Sequence, residues 1–267
     1  MTTHAAAEEA LHAGDAVRAL KLLTDQVRTR PQDAKLRVFL FQLLAVLGQW
    51  DRALNQLSVA SELDASTLAM AQTYREAIHC ETLRLQVFAG RKVPMLFGEP
   101  ETWVALLIEA LLRDGNGEAA AAAEMRARAL EEAPATGGTL DDKPFEWIAD
   151  ADGRLGPVLE AVVNGRYYWV PFSRLQKVVL EAPADLRDAV WMPAHLVFSN
   201  GGDTVALIPT RYPDTELALG DAHALSRATS WRQTPQGTWV GLGQRVIATS
   251  DAEVALMDIR SIVLQGT

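Results

Sequence analysis

Apolar residues in the first half of the chain recur three and four positions apart. Leu11, Ala16, Ala19, Leu20, Leu22, Leu23 and Val27 form one such series, with Arg18, Lys21 and Arg28 falling between them. This spacing gathers apolar side chains on one stripe of a helix and leaves the charges on the other. The pattern holds over residues 4–134 and predicts helices throughout. Glycine and proline interrupt it at Gly14, Pro31, Gly48, 90–100 and 115–117, and Asp33, Ser66 and Asn116 stand where N-caps belong.

The interruptions repeat. Gly14-Asp15-Ala16-Val17-Arg18-Ala19-Leu20 aligns with Gly48-Gln49-Trp50-Asp51-Arg52-Ala53-Leu54 at a separation of 34 residues, the period of a tetratricopeptide (TPR) unit. In such a unit the glycine turns one helix into the next, the alanine permits close approach, and Leu23 and Leu57 fill the space between helices. A third copy runs through Gly117, Ala122, Ala129 and Pro134, with the 17-residue glycine-to-proline interval of Gly14 to Pro31. Two positions depart from the pattern: Ala65 replaces a proline, and Phe41 occupies a small-residue slot. No copy occurs near residue 82, which predicts one long helix over about 66–89. The alanine run 119–123 reads as a helix-packing face.

Beyond residue 140 the period shortens. Short runs of Trp, Tyr, Val and Ile between Pro, Gly and Asp predict strands at 166–172, 175–181, 191–199, 204–210, 243–249 and 254–263. Asn200-Gly201-Gly202-Asp203 is a hairpin turn. The expected architecture is α+β: a TPR-like α-helical array over 1–134, a linker over 135–142, and a small, mainly β domain over 143–267. Five of the seven tryptophans lie in that second domain.

A net charge of −9, divided as −4 and −5 between the halves, offers no basic platform for nucleic acid and repels anionic membranes. No apolar run approaches a membrane span, and a cytoplasmic protein is expected. Cys80 is the sole cysteine, so disulfides and thiolate clusters are excluded and a buried, inert thiol is expected. The five histidines (His4, His12, His79, His195, His223) form no ligand pair, and Gly241-Leu242-Gly243 lacks the third glycine of a dinucleotide loop. Ser173 has no nucleophile elbow around it. No cofactor or metal is expected.

Two segments carry more chemistry. Asp150, Asp152 and Arg154 lie in a turn-like run, but calcium-loop spacing fails at Leu155 and Ala161. The carboxylates are expected to cap backbone amides or pair with Arg154, and a hydrolase built on Asp150 and Asp152 stands as the alternative. Arg166-Tyr167-Tyr168-Trp169 has the composition of a binding hot spot. Alternation places Tyr167 and Trp169 on one face and Tyr168 on the other, one face being core and the other a surface.

Phe145-Glu146-Trp147-Ile148-Ala149-Asp150-Ala151-Asp152, Arg154-Leu155-Gly156-Pro157, Asn164-Gly165-Arg166-Tyr167-Tyr168-Trp169-Val170-Pro171-Phe172 and Leu186-Arg187-Asp188 resemble the ImpE family, also called TagJ or SciE-type. So do Trp191-Met192-Pro193-Ala194, Asn200-Gly201-Gly202, Pro209-Thr210-Arg211-Tyr212-Pro213 and Gly243-Gln244-Arg245, and the resemblance extends over nearly the whole chain. It implies a non-enzymatic accessory protein of bacterial type VI secretion. Its implied partners are the small sheath subunit (TssB type) and the sheath-disassembling AAA+ ATPase (ClpV type). The physics of the sequence adds a partner surface of Trp50, Trp103, Trp147, Arg154, Arg166, Tyr168, Trp169 and Arg174 beside a helical groove. A homodimer joined through the aromatic strand is the structural alternative.

Overall fold

A computed structural model of the chain describes residues 3–215 and 221–265. Its first half is helical. Helices α1 (Thr3–His12) and α2 (Ala16–Thr29) form one antiparallel pair, α3 (Ala34–Val46) and α4 (Trp50–Leu63) the next. Gly14 and Gly48 join the helices of each pair at φ +78° and +66°, the left-handed conformation that favours glycine. The equivalent residues of the two copies, Ala19 with Ala53 and Leu23 with Leu57, are completely buried. Phe41, in the expected small slot, is completely buried too and packs its ring 5.7 Å from Tyr74.

Capping agrees with the sequence at Asp33, whose carboxylate accepts from Leu36 N–H at 3.2 Å, and Asp15 caps α2 in the same way through Arg18 N–H. The other two expected caps are corrected. Asp64 takes the Ser66 N–H, opening a short 3₁₀ turn before the long helix α5 (Leu68–Phe88). Asn116 closes α6 (Thr102–Gly115) instead of opening α7 (Ala119–Glu132). Where α5 and α6 end side by side, a Cβ on Gly90 would lie 2.2 Å from Leu111 O and one on Gly115 2.6 Å from Ala89 O.

The second half forms strands β1 (Gly138–Leu140), β2 (Lys143–Phe145), β3 (Ile148–Asp150), β4 (Val158–Val163), β5 (Arg166–Pro171), β6 (Leu175–Leu180), β7 (Trp191–Phe198), β8 (Asp203–Pro209), β9 (Thr229–Gln233), β10 (Trp239–Gly243), β11 (Val246–Thr249), β12 (Glu253–Ala255) and β13 (Ser261–Leu264), with a short helix α8 (Asp221–Ala224). Eight of them make one antiparallel sheet in the order β2-β1-β13-β6-β7-β8-β4-β5; β12-β11-β3 and β10-β9 form smaller sheets. The architecture is α+β, as expected, but the strands are more numerous than expected, β2, β3 and β9 among them, and several details differ. The stretch 135–142 contains β1, paired with β13 through Thr139 and Val263. Its Gly138 marks a close strand approach, since a Cβ there would sit 2.1 Å from Val263 O. The strand expected over 254–263 is broken by a 3₁₀ turn at 256–258, and 243–249 is split between β10 and β11. β4 went unforeseen because Val-Leu-Glu-Ala-Val-Val is buried on both faces and shows no alternation.

One face of the large sheet packs Leu159, Val178, Met192 and Ile208 against Ile247 and Leu256. The other face, at its β4–β5 end, receives α5 and α6 through Val162, Tyr167 and Trp169 against Val87, Trp103 and Leu107. Trp191 of β7 enters the helical core, 5.6 Å from Tyr74 and 5.9 Å from Trp50. Helices and sheet therefore share cores. Gly115→Ala is expected to cost about 1–3 kcal/mol by forcing α5 and α6 apart; a urea unfolding midpoint unchanged by the substitution would contradict the close crossing.

Candidate functional site

The seam between α5 and the sheet is filled by charge. Glu160, at the centre of β4, is completely buried. It accepts from Arg84 of α5 at 2.6 and 3.0 Å, from Arg245, and from the Tyr167 hydroxyl. Trp169 Nε1 donates to that hydroxyl at 2.7 Å. Arg84 also reaches Glu81 at 3.3 Å and Arg211 O at 2.7 Å, while Trp191 Nε1 donates to Glu81 at 3.0 Å. Arg245 bonds Asp150, which accepts from the Tyr212 hydroxyl at 3.0 Å. Arg211 extends the network into the helical array, donating to Val46 O at 2.5 Å and Ala224 O at 2.7 Å. These carbonyls close α3 and α8, where a cation is favoured by the helix dipole.

The pKa directions follow from this wiring. Burial works to raise Glu160, but Arg84 and Arg245 overcome it and hold the carboxyl at about 2. At Asp150 burial prevails over Arg245, and the neighbouring Asp152 adds to it, bringing that carboxyl up to about 6. Burial likewise drives Tyr167 and Tyr212 well above the ordinary phenol range. Cys80 donates to Gly165 O at 3.3 Å, and burial pushes its thiol up to about 12, consistent with an inert thiol.

Asp150 and Asp152 behave as turn carboxylates. Asp150 accepts from Asp152 N–H at 2.8 Å, and Asp152 accepts from Arg154 N–H, Gly241 N–H and the Arg154 guanidinium. At 3% and 0% exposure both are buried, and each is bonded to backbone amides and an arginine, as a turn carboxylate is. Among the described residues no group of His, Cys, Asp and Glu is placed to hold a metal ion, and no helix is long and apolar enough to cross a membrane. The side chain of His4 lies outside the described residues.

The expected partner surface is not assembled. Trp103 and Trp169 are buried, the first donating to Glu101 at 2.8 Å. Arg154 is pinned on Asp152 and lies over the Phe88 ring at 4.7 Å. Trp50 leans on Trp191, and Arg174 clamps the loop before α6 through Phe97 O, Glu99 O and Glu101. Tyr168 stacks on Phe97 at 4.2 Å. Both faces of the aromatic strand are thus covered, and its outer edge is occupied by Met95, which donates to Tyr167 O and accepts from Trp169 N–H. The self-complementary aromatic interface loses its surface. Trp147 and Arg166 remain exposed, on separate elements.

A groove of about 490 Å³ lies instead along α1 and α3, the first helices of the two pairs. Its apolar lining is Leu11, Val38 and Phe39, and the segment 184–186 closes it with Leu186. Lys35, His12, Glu8 and Arg227 stand around it. The helical members of this lining each look like an ordinary helix position; their one signal is membership of the first helix of each repeat, which faces inward when such pairs stack, and Leu186 and Arg227 join them only through the fold.

Residues 142–263 match the family described as ImpE protein, and residues 10–76 match the tetratricopeptide repeat. The chain is 52% identical over 261 residues to the "Type VI secretion system accessory component TagJ" of Pseudomonas aeruginosa, covering 98% of this chain and 92% of that protein. The chain belongs to the ImpE family. It is also similar to the crystal structure of protein VPA1032 from Vibrio parahaemolyticus, with a TM-score of 0.89, 25% identity and 98% of each chain covered.

In this ImpE chain the segments that carry the family resemblance supply most of the partners around Glu160, which itself lies between them. They contribute Asp150, Asp152 and Arg154, then Tyr167 and Trp169, then Arg211 and Tyr212, and finally Arg245. Arg84 meets them from the helical half. Glu160→Gln leaves two buried guanidinium groups short of a counter-charge and is expected to cost about 3–5 kcal/mol. Because the Glu160 pKa falls on folding from 4.5 to about 2, its stabilising contribution is full above 4.5 and lost as pH drops toward 2. Guanidinium unfolding from pH 6 to 2 should therefore show a shallower acid limb in Glu160→Gln than in the parent; parallel limbs would contradict this assignment.

Proposed function

We propose that this chain is a non-enzymatic accessory protein of type VI secretion that captures the small sheath subunit (TssB type) and connects it to the ClpV-type ATPase. The observation that carries the reading is the α1–α3 groove, together with near full-length similarity to a protein named as a type VI accessory component. A concave stack of helix pairs binds a helix or an extended peptide through spaced apolar anchors. Here Leu11, Val38, Phe39 and Leu186 provide the apolar floor, and Lys35 and Arg227 bring positive charge to its rim, while Asp185 is paired with Arg187. The segment 184–186 belongs to the β half, where Asp188 accepts from Ala184 and Asp185 N–H at 2.6 and 2.8 Å. The groove is therefore preformed, which reduces the ordering cost of binding.

The reading predicts binding of the isolated small sheath subunit at about 1 μM, roughly −8 kcal/mol. Val38→Glu combined with Leu186→Asp should weaken it at least about tenfold, or ~1.4 kcal/mol, while circular dichroism remains that of the parent. Calorimetric titration checks both, and absence of heat at tens of micromolar subunit would defeat the reading. Pull-down of the ATPase with and without the sheath subunit tests the connection; capture is expected only when the subunit is present.

A further inference from the structure

The large sheet is covered unevenly on its helical side. α5 and α6 lie over β4 and β5, and Trp191 at the start of β7 and Leu207 of β8 also meet the helices, but beyond them the same face continues bare along the rest of β8, β7, β6 and β13. The register sets two rows there: Ser261, Val179, His195 and Val205, and beside it Val263, Lys177, Val197 and Asp203. A third row, Pro193 and Leu207, runs on to Val162 under the helices. Val205 is 73% exposed and Val263 41%, an unusual state for valines on a sheet whose opposite face is a closed core. A groove of about 610 Å³ separates α5 from this bare face. Four strands at about 4.8 Å spacing span a width that accommodates one helix of about 10 Å diameter.

The rim decides what kind of helix. Glu76 of α5 and Glu181 at the end of β6 line the groove, and Asp203 begins β8; Lys177 stands on the same face, and His195 is bonded to Asp203 at 2.8 Å. The β4–β5 turn stands close to α5 here, since a Cβ on Gly165 would meet Glu76 Oε2 at 2.9 Å, and at the lip Glu76 accepts from Gln72 Nε2 at 2.7 Å. We propose that this half-sheet docks an amphipathic helix of another protein, with an aliphatic stripe on Val179, Val205 and Leu207 and lysines or arginines against Glu76 and Glu181. A second copy of this chain fits poorly, because a symmetric contact sets these carboxylates against each other on molecules that each carry −9. The site is separate from the α1–α3 groove and shares no lining residue with it.

The test uses the full chain and two fluorescent 18-residue helical peptides with the same leucine stripe, one with lysine and one with glutamate at every other position. Fluorescence anisotropy at 0.15 M salt should show the lysine peptide binding at least tenfold tighter. Val205→Asp, at an exposed position, should weaken it tenfold or more, although the change makes the protein more acidic. Glu76→Lys with Glu181→Lys should reverse the preference, and Val38→Glu in the other groove should leave it unchanged. Equal binding of the two peptides, binding of neither, or lysine-peptide binding indifferent to Val205→Asp would overturn the proposal. Light scattering that shows a dimer abolished by Val205→Asp would overturn it as well, assigning the face to self-association.

Discussion

A carboxylate removed from water is tolerated only while every partner stays in place, because the desolvation cost of each buried ion is several kcal/mol. Glu160 is in that position, with Arg84 from the long helix on one side and Arg245 from the strands on the other. The two arginines approach from elements 76 and 85 residues away, so the charges are satisfied only in the assembled fold. Four arginines (84, 154, 211, 245) and four carboxylates (81, 150, 152, 160) meet along this seam. The network adds little by attraction alone. It specifies, since any other docking of α5 on the sheet leaves an ion without a counter-charge.

The functional geometry inherits that rigidity. Arg211 ties the ends of α3 and α8 to the sheet, and Asp188 holds the segment that closes the α1–α3 groove. The groove's floor comes from the repeats and its wall from the β half, so its shape depends on how the halves dock. The uneven helical cover of the sheet has the same origin: α5 is pinned over β4 by Arg84, which leaves the neighbouring strands open.

Much of the helical half was legible because its core is local. Gly14 with Gly48, Ala19 with Ala53 and Leu23 with Leu57 are packed through contacts that recur with the repeat, and the 34-residue period displays them directly. The β half was legible only where one face meets solvent. β6, β7 and β8 alternate; β4 is buried on both faces and does not. Gly138 falls within the stretch expected as a linker, because sequence does not distinguish a glycine that frees the backbone from one that lets strands touch. The aromatic run alternates as expected, with Tyr167 and Trp169 turned to the core, but Trp169 was also expected at a partner surface. Tyr167 and Trp169 carry polar tips suited to interfaces, but those tips serve Glu160. Arg84 and Glu160 were invisible as a pair, though each had a signal: a charge set within an otherwise apolar face.

The central claim is that the charged seam makes helices and sheet one cooperative body. Scanning calorimetry of the full chain tests it most directly. The account predicts a single transition whose calorimetric and van't Hoff enthalpies agree, in the parent and, at lower temperature, in Arg84→Met. Two resolved transitions in the parent, with the helical array melting independently of the sheet, would contradict it.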